Sequence, residues 1–352
     1  MAAADVDAVV LSSGPNARYF TGFSGEDDRQ LLVVLTSDGD PVAITPDQYV
    51  DQVRDNTDVT SVRAVPANTP TAVVTGLLGV LDAPARVRLD PNASAAVATR
   101  MIQRTDAAVG PAGDLIGPLR LTKTAPEIAA LRRAADVADS VSEAVRSLGS
   151  DAVGMTEREL AVEIRTRLHA AGGERLSFPV SVGAGPNGAR PATYRHGDRA
   201  VRRGDPVVLD FGAFVDGYAS DQTRTCVFAG DPPAAFREAY EAVSAGLEAG
   251  VAAAGPTTTA AAVDRAVRRP IAEAGLADRF GHGTGHGVGL DAHEAPVIDG
   301  DNARRLEEGM VFSIEPGVYV PGSFGVRLED LVVVTADGCD RLNASSRTWQ
   351  PL

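Results

Sequence analysis

Apolar runs at 6–11 (VDAVVL), 31–35 (LLVVL), 41–44 (PVAI) and 85–89 (ARVRL) are bounded by Gly, Pro and Asn, with helix-like stretches at 46–54 and 70–81 between them. Short strands alternating with helices predict an α/β layer structure for about the first 118 residues. Nothing in this region carries a chemical signature, and 16–22 (NARYFTG) reads as a strand-to-turn connection rather than a binding loop. Gly117-Pro118 interrupts the pattern and predicts a boundary between domains 1–118 and 119–352. Thr124-Ala-Pro-Glu127 then has the form of a capped helix start. Ile128, Leu131, Ala135, Ala138, Val141 and Val145 follow at helical spacing. Further helices are predicted at 157–170, 233–250 and 257–275, and a strand at 178–182.

The most informative alternation lies at 205–221, DPVVLDFGAFVDGYASD. An apolar run delivers Asp210, Asp216-Gly217 supplies a turn, and the chain returns to Asp221, which predicts a β-hairpin. Folding there sets Asp210 and Asp221 opposite or diagonal on neighbouring strands, with Cβ atoms roughly 4.5–8 Å apart. Two carboxylates that close repel unless a proton or a cation sits between them; one buried and one solvated Asp is the alternative. Upstream, Gly183-Ala-Gly185-Pro-Asn-Gly188 matches a dinucleotide-site spacing. That pattern needs a helix opening at its end, which Pro186 and Pro191 oppose, so a tight Pro-Asn-Gly turn accounts for the glycines.

Composition narrows the class without naming it. The chain has 352 residues, 44% hydrophobic and 23% charged, as in an ordinary soluble protein long enough for two cores. No run of about 18 apolar residues predicts a membrane span, and the N-terminal MAAADVDAVVL lacks the basic start of a secretory signal, which predicts a cytoplasmic protein. Cys226 and Cys339 do not make a disulfide framework. A formal charge of −14 disfavours nucleic acid and anionic membranes as partners. Lys123 is the only lysine among 33 basic residues, which fits either a salt-adapted source or GC-rich codon usage. Full activity and an unchanged Tm in low salt would remove the first.

Three of the five histidines fall in GHGTGHGVGLDAHE: His282, His286 and His293. Glycine at 281, 283, 285, 287 and 289 disfavours a helix, so this is not the helical zinc-protease motif. Alternate glycines instead let backbone approach closely around a ligand. Glu315 ends the apolar run of Met310-Val-Phe-Ser-Ile-Glu315, and Glu329 lies within the apolar segment 325–334, on the same side as Arg327. An Arg327–Glu329 ion pair accounts for that face alone and leaves Asp210, Asp221 and Glu315 unexplained. A pair of divalent cations makes four carboxylates and one imidazole near buried strands consistent, with Mn, Co, Fe or Zn suited to such donors. Two metals roughly 3.5–4 Å apart hold and ionise a water and polarise a carbonyl, so metal-assisted hydrolysis is expected.

The segments LDFGAFVDGYASDQTRT, HGTGHGVGLDAHE, FSIEPGVYV and VRLED resemble the successive metal-site motifs of the pita-bread metallopeptidases, which include methionine aminopeptidase, aminopeptidase P, prolidase and creatinase. NARYFTGFSG resembles the creatinase-type N-terminal domain and LRLTKTAPEIAALRRAADVAD the family's linker helix, which narrows the match to the proline-peptidase branch. The resemblance implies an α/β creatinase-like N-terminal domain followed by an α+β pita-bread catalytic domain. It implies that Asp210 chelates one metal, that His286 and Glu315 bind the other, and that Asp221 and Glu329 bridge the pair, manganese being the metal expected first. A bridging hydroxide would attack the carbonyl of an Xaa-Pro bond, Glu315 would shuttle its proton, His293 would steady substrate and tetrahedral intermediate, and His282 would be a more peripheral histidine. Arg327 would anchor Glu329. A small peptide substrate and a homodimer are further implications. One departure is that Ala192 stands where proline-specific members carry a histidine, with His196 as a substitute from a shifted position. The implied activity is therefore an Xaa-Pro dipeptidase or aminopeptidase, with a creatinase- or ectoine-hydrolase-like hydrolase of a non-peptide amide, or a non-catalytic peptide-binding module, as alternatives.

Overall fold

The structure is a computed structural model in which residues 1, 5–23, 31–37, 39–81, 83–190 and 195–350 are described. The chain divides into two compact units, Met1–Arg120 and Leu121–Leu352.

In the first unit the strands are β1 (Ala8–Ser12), β2 (Leu32–Thr36), β3 (Val42–Pro46), β4 (Ser61–Val65), β5 (Arg86–Leu89) and β6 (Ala108–Pro111). The helices are α1 (Pro15–Thr21), α2 (Val50–Asp55), α3 (Pro70–Leu78), α4 (Ala95–Arg104) and α5 (Gly113–Leu121). The strands form one sheet in the order β4-β3-β2-β1-β5-β6. Ala8, Val10, Leu32 and Val34 pack with Leu77 of α3 and Met101 of α4, whereas Val9, Leu11 and Val33 pack with Val53 of α2 and Ile116 of α5. Both faces are therefore buried, which is why β1 and β2 read as continuous apolar runs. Two expectations change. Residues 15–21 form a helix, with Pro15 opening it and Gly22 in the left-handed region (φ 73°) closing it, in a stretch too short to show a period. Pro118, where the pattern predicted a break, lies inside α5, two residues before the division at Arg120.

The second unit opens with α6 (Ala125–Arg146), whose capping box is formed as Thr124 N donates to Glu127 Oε2 at 2.8 Å. It continues with α7 (Glu157–Ala170), β7 (Arg175–Leu176), β8 (Ser181–Ala184), β9 (Val207–Phe211), β10 (Ala213–Val215), β11 (Tyr218–Ala219), β12 (Gln222–Cys226), α8 (Ala234–Ala253) and α9 (Ala260–Glu273). The remaining strands are β13 (Gly285–Gly287), β14 (Glu294–Ile298), β15 (Val311–Ile314), β16 (Gly317–Val320), β17 (Phe324–Arg327), β18 (Asp330–Val334) and β19 (Cys339–Arg341). The sheets run β12-β9-β8, β14-β13-β15-β18-β19, β16-β17 and β11-β10-β7. Helices cover them from outside: Leu160 and Ile164 of α7 pack on Val182 and Leu209, and Leu247 of α8 and Val267 of α9 pack on Phe312, Ile314 and Phe324. Among the described residues no helix is long and apolar enough to cross a membrane.

The hairpin forms with Asp210 opposite Thr223, which sets Asp221 diagonal to Asp210. Its tip turns through Asp216 (φ 50°) and Gly217 (φ 73°), the two-residue turn that matches strand twist. Between its two parts, a Cβ on Gly212 would lie 1.9 Å from the Ser220 carbonyl oxygen, so backbone beside Asp221 must move to admit one. Gly212→Ala is expected to destabilise the protein by about 1–3 kcal/mol, read as a shift of the urea midpoint. The glycines at 183–188 serve a short 3₁₀ turn (Gly185–Ala189), and among the described residues no α-helix opens at the end of the dinucleotide-like pattern.

Candidate metal centre

A cavity of about 440 Å³ opens where the strands of the second unit end. Asp210 enters it from β9, Asp221 from the residue before β12, His286 from the middle of β13, Glu315 from the residue after β15, and Glu329 from the step between β17 and β18. Glu329 thus sits at a junction between two sheets rather than within one strand, because β17 pairs with β16 and β18 pairs with β15. Donor atoms of Asp210, Asp221 and Glu329 lie within 4.8 Å of one another, as do those of His286, Glu315 and Glu329, and those of Asp221, His286 and His293. His286 Nε2 is 3.4 Å from Glu315 Oε1 and 3.6 Å from Asp221 Oδ2.

Such crowding is expensive for charge. Burial, and then the neighbouring Glu329, Asp210 and Glu315, hold the Asp221 carboxyl well above the usual range, and burial with Glu315 and Asp210 does the same to Glu329. Burial lifts Glu315 to about 7 and depresses His286 to about 4, which keeps the imidazole neutral and able to ligate. Glu329 Oε1 is buried with no hydrogen-bond partner among the described residues. Oxygen donors, a neutral imidazole and no thiolate match divalent first-row cations, and an orphaned carboxylate oxygen is what a missing cation leaves behind. The residues present fit the group.

The surrounding contacts amend several expectations. Arg327 does not pair with Glu329: its Nη2 donates to Asp210 Oδ2 at 2.6 Å and its Nε to Thr223 Oγ1 at 3.0 Å. Thr223 in turn donates to Glu329 Oε2 at 2.7 Å, so Arg327 reaches Glu329 through a hydroxyl that no sequence signal marked. Arg327 Nη1 also lies 3.3 Å from the Tyr319 hydroxyl, which is 2.9 Å from His282 Nε2. His293 stacks at 4.0 Å on the His286 ring, with Phe178 at 6.4 Å on its edge. His196 does not line the cavity. Arg195 does, whereas at His196 burial and the nearby charges of Arg165 and Arg158 on α7 depress the imidazole pKa. Ala192 lies outside the described residues. Two of the alternate glycines admit neighbouring strands: a Cβ on Gly285 would sit 1.9 Å from the Ser313 oxygen, and one on Gly287 2.0 Å from that of Ala295, while Gly283 and Gly285 also line the cavity.

Known proteins match this chain along nearly its whole length. Residues 1–122 match the creatinase/prolidase N-terminal domain and residues 129–336 match metallopeptidase family M24. The chain is 36% identical to the probable dipeptidase PepE of Mycobacterium tuberculosis over 97% of its own length and 92% of that protein's. A prolidase from Pyrococcus furiosus superposes with a TM-score of 0.89 at 30% identity, covering 99% of each chain. An Xaa-Pro dipeptidase from Bacillus anthracis gives 0.90 at 30% identity, over 100% of this chain and 96% of that one. The chain belongs to metallopeptidase family M24, with the pita-bread catalytic fold behind a creatinase-type N-terminal domain.

Proposed function

We propose that this metallopeptidase is a dinuclear enzyme that hydrolyses Xaa-Pro bonds in small peptides, as a dipeptidase or an aminopeptidase. The observation that carries the reading is the pair of donor sets meeting at Glu329: Asp210 and Asp221 on one side, His286 and Glu315 on the other. Asp210, Asp221, His286, Glu315 and Glu329 would hold the ions, with manganese the first candidate and cobalt, zinc or iron the others. The ions supply, when bound, the Lewis acidity that activates a water nucleophile and polarises the scissile carbonyl. Glu315 accepts the proton of that nucleophile and passes it to the departing nitrogen. His293, at the cavity wall beside Asp210, donates to the oxygen that gains charge as the carbonyl becomes tetrahedral. Arg327 fixes Asp210, and His282 is held at the periphery by Tyr319.

The substrate panel that tests this is Ala-Pro, Ala-Pro-Ala and Ala-Ala with creatine and ectoine, run with manganese, cobalt and zinc. Cleavage of Xaa-Pro peptides is expected; enzyme that leaves every one uncut overturns the reading. Turnover of creatine or ectoine instead would establish the non-peptide alternative, which the absence of His196 from the cavity lining favours. His293→Ala is expected to lower kcat about 10²–10³-fold with two ions retained. Metal loss there would make His293 a ligand, consistent with its place beside Asp221 and His286. A homodimer and a cytoplasmic location complete the proposal, to be read by light scattering and cell fractionation.

The raised carboxyls give a pH signature. A group whose folded pKa is lifted holds its proton more tightly when folded, so the metal-free protein loses stability as pH rises toward about 7, where Glu315 titrates. Cation binding removes that cost and itself requires the deprotonated ligands. The Tm difference between metal-loaded and metal-stripped protein should therefore widen from about pH 5 to about pH 7.5. A constant difference across that range would contradict it.

A further inference from the structure

In a chain that otherwise uses arginine for every basic position, the single lysine is buried. Lys123 Nζ lies 2.7 Å from Glu294 Oε1, with the two side chains 2% and 11% exposed, and 3.4 Å from the Leu121 carbonyl oxygen. Its backbone N–H donates to Gly309 O at 2.8 Å, next to the strand that ends at Glu315. Glu294 immediately follows His293, and its carboxylate fills the space over Gly289, where a Cβ would lie 2.5 Å from Oε1. The same carboxylate sits 3.4 Å from the Asp291 N–H. It thus gathers the turn that carries His293 back from β13, and Lys123 holds the carboxylate.

A buried ion pair is weak support for stability by itself, because desolvation of both charges offsets most of their attraction. A pair that fixes the geometry of a neighbouring group has a further use, and here a compact ammonium reaches both the Glu294 carboxylate and the Leu121 carbonyl. We propose that Lys123, acting through Glu294, is the positioning residue for His293. The proposal rests on the role of His293 argued above.

The test uses Lys123→Met in the full chain, with readouts that a purely structural residue leaves alone. In metal-free protein labelled with ¹⁵N-histidine, the imidazole signals of His293, identified by their absence in His293→Ala, are expected to shift while those of His169 stay in place. Unshifted His293 signals would overturn the proposal. In loaded enzyme with bound metal unchanged, kcat for Ala-Pro is expected to fall about tenfold to a hundredfold, with KM within about twofold. In the His293→Ala background Lys123→Met should lower kcat no further, because the two act as one unit. An equal fall in both backgrounds, or loss of metal, would sink it. Should Lys123→Met fail to fold, Lys123→Met with Glu294→Gln removes both charges and carries the same readouts. Wild-type enzyme that cuts no Xaa-Pro peptide ends the proposed function, whereas the spectra still decide this inference.

Discussion

Glu329→Ala and Asp221→Ala are each expected to abolish peptide hydrolysis and to lower the bound divalent ion from two per chain to one or none. Each side chain is nearly fully buried, and each lies in a set of donor atoms gathered within 4.8 Å. A metal ion contributes several kcal/mol of transition-state stabilisation, and about 4 kcal/mol corresponds to a factor of about a thousand in rate. A loss of at least about a thousandfold in kcat/KM is therefore expected. The control is stability. Burial and neighbouring carboxylates push the Glu329 carboxyl well above its ordinary pKa, so its charged form is unfavourable in the empty site. Glu329→Gln should accordingly leave the Tm of metal-free protein unchanged or raise it while activity disappears. Retained activity with a full complement of metal would refute the assignment of Glu329. A lowered Tm in the metal-free state would refute the electrostatic argument.

Asp330→Ala should have the opposite character, unfolding the metal-binding unit rather than disarming it. The Asp330 carboxylate is fully buried and lies 2.9 Å from Arg224 Nη2 and 3.1 Å from Arg341 Nε, with Arg347 also donating to it. Arg224 is itself 1% exposed. Removing the shared anion leaves a buried guanidinium without its counter-charge, at a cost of about 3–5 kcal/mol. Arg224 also donates to the Glu329 carbonyl oxygen, so the backbone of a proposed ligand relaxes with it. Urea unfolding should show the lowered midpoint, and calorimetry a weaker response of Tm to added manganese. A change below about 1 kcal/mol would mean that the three arginines are solvated well enough without Asp330.

The contrast between these adjacent residues shows what a linear reading reaches. Glu329 and Asp330 are neighbouring acids beside an apolar run, and composition cannot say which one meets a cavity and which one meets arginines. The resemblance of VRLED to a metal-site motif separates them; hydrophobic pattern alone does not. Thr223 and Tyr319 went unnoticed because a threonine and a tyrosine on strands are ordinary strand formers. Their hydroxyls matter only once Arg327 lies between them.

By itself the sequence determined the layered α/β unit, the capped helix after Thr124 and the hairpin diagonal of Asp210 and Asp221; the five proposed donors came from the resemblance of their motifs. The first three are local statements, readable from apolar period, capping and turn chemistry within one segment. Only the tertiary structure decided that Arg327 grips Asp210 rather than Glu329, that His196 stays out of the cavity lining, that Gly285 and Gly287 make room for neighbouring strands, and that Lys123 meets Glu294 across 171 positions. These depend on sheet register and on which strand ends meet, and no periodicity within one segment carries that information.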